Sequence, residues 1–130
     1  MSTQIPHKLS WLQPYLPLFI PYLPRGVTIT RIGSWSINNK RIGKECHAAI
    51  YTKNHKQYRI WLHTHRLVGT IKSTPQSKMD MLSTLAHELA HTWDMDHSPL
   101  HKMVEATLTQ VFMKQLAAEG YVSEEEELGT

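Results

Sequence analysis

A chain of 130 residues with 41% apolar content has room for one compact domain and is too hydrophobic to be a disordered segment. Its single cysteine, Cys46, excludes an intrachain disulfide framework and a cysteine-only zinc cluster, and suits a reducing, cytoplasmic setting. The net charge of +3 hides a division that points to an acidic partner, nucleic acid above all: residues 1–78 carry 12 Lys or Arg against the single acid Glu45, net +11, while residues 79–130 are net −8.

Residues 1–26 form a proline-rich arm. Trp11 to Pro24 is apolar, but Pro14, Pro17, Pro21 and Pro24 interrupt it, so it reads as a packing arm rather than a signal peptide or a membrane span. No stable membrane insertion is expected.

A domain over residues 27–121 follows. Val27–Ile32 alternates as a strand, Arg41–Lys44 reads as a loop, and His47–Thr52 with Gln57–Leu62 makes a hairpin across the polar turn Lys53–Lys56. The period then changes. Leu82, Leu85, Ala86, Leu89 and Trp93 fall on one helical stripe, with Ser77 and Asp80 resembling a capping box at its start. Ser98-Pro99 is an N-cap followed by proline at the first helical position. It opens a second helix with the stripe Leu100, Met103, Val104, Leu108, Val111 and Phe112, stopped at Gly120. Residues 122–130 are an acidic tail containing Glu124–Glu127. Strands in a block before helices predict an α+β domain, a short antiparallel sheet packed on the first helix with the second behind. The strand at 57–62 is expected at a sheet edge, where an extended peptide could add by main-chain pairing.

His87-Glu88-Leu89-Ala90-His91 carries the chemistry. Residues i and i+4 lie one turn apart on one helix face, so both imidazoles can reach one zinc ion, while Glu88 projects beside them as a general base for a zinc-activated water. A catalytic zinc takes a third protein ligand, and His97, Glu105 and His101 compete for that place. His97 lies in the turn before Ser98, a return loop just long enough to double back over the helix end. Asp94 and Asp96 could orient the imidazoles. His63 and His65 read as solvated loop residues, His47 and His55 have no recognisable partners, and the tryptophans read as core anchors.

With HELAH at 87–91 followed by His97-Ser98-Pro99, the chain resembles the SprT-like (Spartan-type) metallopeptidases and is similar to the WLM proteases. The order of Trp35, Arg41–Cys46, Arg59–Leu62 and Leu82–Ala86 extends the likeness over roughly residues 27–112. It implies a small zincin-like fold, zinc on His87, His91 and His97, Glu88 as the catalytic residue, and hydrolysis of protein or peptide substrates, including proteins bound to nucleic acid. Three features depart from the family pattern, one being that Spartan's DNA-binding and partner motifs have no counterpart here. His101 stands where an aromatic residue is common, and one cysteine cannot build the zinc ribbon that SprT proteins often append.

Overall fold

The computed structural model describes residues 3–35, 48–63 and 75–120. The proline-rich arm folds into short tight helices: a 3-10 segment at His7–Tyr15, α1 at Leu16–Phe19, and a second 3-10 segment at Ile20–Tyr22. Prolines every three or four residues remove backbone donors, which keeps each helical piece short. The strands are β1 (Thr28–Trp35), β2 (Ala48–Thr52) and β3 (Gln57–His63), and the long helices are α2 (Pro75–Ala90) and α3 (Pro99–Ala118). Among the described residues, no helix is long and apolar enough to cross a membrane.

The architecture is α+β, with one departure in the sheet. The strand order is β1-β3-β2. The β2–β3 hairpin is antiparallel as expected, but β1 runs parallel to β3, so the sheet is mixed. Strand β3 is therefore central rather than at an edge. Tyr58, Ile60 and Leu62 all lie on its inner face, and pairing on both sides satisfies the strand's backbone. The outer edge of β1 is partly covered by the arm. Gln4 bridges to Arg31, with Gln4 N donating to Thr30 O at 3.0 Å and Ile32 N to Gln4 O at 2.9 Å. Among the described residues, nothing pairs with the outer edge of β2. The hairpin turn is held by Asn54, whose Oδ1 accepts from Lys56 N and Gln57 N, and His55 takes a positive φ of 59° there.

The core lies between the inner face of the sheet and the helices. Ile29, Ile32, Tyr58, Ile60 and Leu62 meet Leu82, Leu85, Ala86 and Leu89 of α2 and Leu108, Phe112 and Leu116 of α3. The arm completes it with Leu9, Leu12, Tyr15, Leu16 and Phe19, all buried. Tyr15 and Phe19 both set ring edges against Phe112, at centroid distances of 5.8 and 6.4 Å. The Tyr15 hydroxyl also donates to Glu119 Oε2 at 2.6 Å, tying the arm to the end of α3.

Helix α2 begins at Pro75, so Ser77 lies inside the helix and is not its cap. The chain leaves the helix at Ala90, which puts Trp93 in the following turn. It is 44% exposed rather than a core anchor, with its indole N–H on the carbonyl of Tyr22 at 2.8 Å. Helix α3 starts as expected. Ser98 Oγ accepts from His101 N at 3.2 Å, and Gly120 at φ +97° ends it just past its C-cap. Its buried stripe is rotated from the expected one. Leu100 and Met103 are exposed, and His101, Leu108, Phe112 and Leu116 point inward. In the first turn, an imidazole takes the inward position that an apolar residue would otherwise hold.

Candidate metal centre

Two elements and one loop build the site. His87 sits in the last turn of α2 and His91 just past its end, His97 lies in the return loop, and His101 in the first turn of α3. One nitrogen from each of these four residues can be chosen so that all four lie within 4.8 Å of one another, an arrangement that could hold a metal ion.

The finer geometry fits a shared ion. His87 Nε2 and His97 Nε2 are 3.2 Å apart. Two nitrogens each about 2.0–2.1 Å from one tetrahedral ion would stand about 3.3 Å apart. The ring centroids of His87, His91 and His97 are pairwise 5.0 Å apart, an equilateral triangle. Imidazoles bound through nitrogen to one such ion would place their centroids about 5 Å apart, because each ring centre lies about 1 Å behind its nitrogen.

The opposite ring nitrogens are anchored. Glu105 Oε1 makes a short contact with His87 Nδ1, and His91 Nδ1 donates to the carbonyl of Asp94 at 3.0 Å. Each anchor fixes the tautomer that leaves Nε2 free as a ligand. Glu105 therefore stands behind the His87 ring, outside the group of four converging imidazoles. Asp94 orients an imidazole as the sequence suggested, but through its backbone. Its carboxylate instead braces the loop, accepting from the Ser98 hydroxyl and from Asp96 N, and these bonds hold its pKa below the ordinary carboxylate value.

Burial dominates the electrostatics. Desolvation lowers the His91 pKa, only partly offset by the bond to Asp94, and the neighbouring imidazoles push the same way. His91 is thus held neutral, the form that can coordinate. Glu88 is 8% exposed, and burial raises its pKa. The charge of His87 lowers it and that of Glu105 raises it further, which places Glu88 within electrostatic reach of both.

The other expected residues are elsewhere. His55 is in the exposed hairpin turn and His63 is the last residue of β3, not a loop residue; His47, His65 and Cys46 fall outside the described residues. The spacing of four that puts Glu105 and His101 on one face of α3 allows an orienting role as well as a ligand's; it gave no signal of which ring Glu105 would meet or of the burial of His101.

The outward face of the sheet is distinct from this cluster. Arg31, Arg59 and Tyr51 are exposed and pair in one row across the three strands, and Gly33, Trp61 and Ala49 form the next. Trp61 lies flat over Gly33, where an added Cβ would sit 2.5 Å from Trp61 Cζ3, and Arg31 stacks on the Trp61 ring at 5.1 Å. Lys53 and Lys56 are exposed in the adjoining turn, whereas Lys40, Arg41 and Lys44 lie outside the described residues.

No family model matches the chain, and no curated protein and no solved structure matches it.

Proposed function

We propose that the protein is a zinc-dependent endopeptidase of the SprT-like, zincin-like kind, with His87, His91 and His97 as ligands and Glu88 as general base. The observation that carries this reading is the convergence of the imidazoles, with the buried Glu88 carboxylate in electrostatic reach of His87. An all-nitrogen donor set at tetrahedral spacing favours zinc over magnesium or calcium, which take oxygen ligands. Bound there, zinc would supply Lewis acidity, polarising a peptide carbonyl and acidifying a water. The chain supplies the rest. The Glu88 carboxylate, made more basic by burial, accepts the water's proton and passes it to the departing amine. Glu105 keeps the His87 ring in its ligand orientation. The edge of β2, unpaired among the described residues in a strand that packs on α2, takes over from β3 as the place where an extended substrate strand adds. The test is metal analysis and cleavage of unfolded protein substrates by the wild type and Glu88→Gln. The reading expects zinc in both and cleavage only by the wild type.

The sheet face supports nucleic acid as a partner that brings bound proteins to the site. Arg31, Arg59, Lys53 and Lys56 can neutralise phosphates, and Tyr51 and Trp61 offer faces for stacking. The same face, together with the fourth imidazole of the cluster, supports a second reading: a nucleic-acid-binding module whose zinc is structural. In that case Glu88→Gln leaves zinc and nucleic-acid binding unchanged, and chelation unfolds the domain and abolishes nucleic-acid binding.

A further inference from the structure

The proposed peptidase uses three imidazoles, and His101 has no part in it. His101 is 1% exposed. Its Nε2 lies 3.0 Å from the carbonyl oxygen of His87. A carbonyl only accepts, so Nε2 carries the ring proton and Nδ1 holds the lone pair. That Nδ1 is buried and has no hydrogen-bond partner among the described residues. Leaving a buried acceptor unpaired is costly, so such an atom calls for a partner that the described residues do not supply.

The surroundings say what kind of partner. Nδ1 of His87 and of His91 are engaged by Glu105 and by the Asp94 carbonyl, which leaves a lone pair on Nε2 of each. With Nδ1 of His101 these make three lone pairs in the cluster, a set that suits a cation. The His101 ring centroid lies 4.6, 4.2 and 5.1 Å from those of His87, His91 and His97. It therefore sits as the fourth corner over the triangle that those three rings form.

We propose that His101 is a fourth metal ligand, coordinating through Nδ1, so that the ion is held by four imidazoles and the position a water would take is filled by the chain itself. The proposal rests on the reading of His87, His91 and His97 as metal ligands. Two facts make the ring well placed for it. The His87 carbonyl fixes its orientation from behind, and the Ser98 cap fixes the turn of α3 that carries it. A substrate carbonyl or water then enters only as a fifth ligand, an expansion zinc sites tolerate, or by displacing His101. His101 would thus set how open the centre is.

X-ray absorption on the zinc-loaded full chain counts the imidazoles directly, and the visible spectrum of the cobalt-loaded protein reports the coordination number. Wild type should show four nitrogen ligands. His101→Phe, which keeps a buried ring without the nitrogen, should show three plus one light oxygen, and its cobalt spectrum should shift on adding azide where that of the wild type does not. Chelator competition should show zinc held more weakly in His101→Phe by more than the roughly 10–100-fold that an outer-shell change costs. Three imidazoles and an oxygen in the wild type overturn the proposal even if the variant does not fold. A wild type that binds no zinc, or a His87→Ala variant that keeps it, instead overturns the reading on which the proposal rests.

Discussion

His87 Nε2 and His97 Nε2 lie 3.2 Å apart, although ten residues separate them and only one belongs to a helix. At that distance two imidazole nitrogens share either a proton or an ion. The loop brings them together because its own polar groups are spent on holding its shape: Asp94 takes Ser98 and Asp96 N on its carboxylate and His91 on its carbonyl. The approach is thus a product of the return turn as much as of the helix, which makes His97 the residue to test first.

The chain should bind about one zinc, and His87→Ala or His91→Ala should lose it, because the incomplete set of imidazoles that remains binds far more weakly. His97→Ala should weaken binding more than Glu105→Ala, whose loss removes only the anchor of the His87 ring and costs about 10–100-fold. Titration against a competing chelator ranks the four variants. A larger effect at Glu105 would move it into the coordination sphere.

Glu88→Gln should retain zinc with wild-type affinity and lose at least about 10²-fold in turnover of any substrate found, the lower range for a general base. Undiminished cleavage would remove Glu88 from the chemistry.

The same variant gives a pH signature in the metal-free protein. Burial raises the folded pKa of Glu88 above its ordinary value of 4.5, so folding disfavours the charged form. The cost is absent below about pH 4.5 and grows as pH rises through the folded pKa, because there the native state binds more protons than the unfolded one. Chelated Glu88→Gln should therefore melt above the chelated wild type at pH 7, with the gap closing as the pH falls towards 4.5. His91, whose folded pKa is depressed, contributes the opposite slope just below 6.5, equally in both proteins, and cancels in the comparison.

The arm should behave as core. Leu12→Ala, at a fully buried position, should cost about 2–5 kcal/mol, and Tyr15→Phe about 1.5–3 kcal/mol through the lost bond to Glu119. Urea unfolding of the two variants measures both, and values near zero would mean that the arm is not docked in solution.

Labelled single-stranded DNA should bind in a steeply salt-dependent manner, and Trp61→Ala should weaken it by about 1–3 kcal/mol, the worth of one stacked base. Arg31→Ala and Arg59→Ala should flatten the salt slope by about one each. Absence of binding at low salt would leave the charge asymmetry as a solubility feature.

Local pattern by itself determined a good deal of this protein. The alternation of Tyr58, Ile60 and Leu62, the stripe of Leu82, Leu85 and Leu89, the Ser98-Pro99 cap and the four-residue spacing of His87 and His91 are all written within a few residues, and periodicity reads them directly. Only the tertiary structure decided the rest. The parallel pairing of β1 with β3 depends on which neighbour best covers the central strand. The rotation of α3 depends on a cluster its first turn has to complete. The roles of Glu105 and His101 follow from that rotation: it puts one behind a ring and the other, with a bare buried nitrogen, inside the cluster. Such outcomes rest on contacts between segments far apart in the chain. Their energies depend on packing and desolvation that no single stretch of sequence contains.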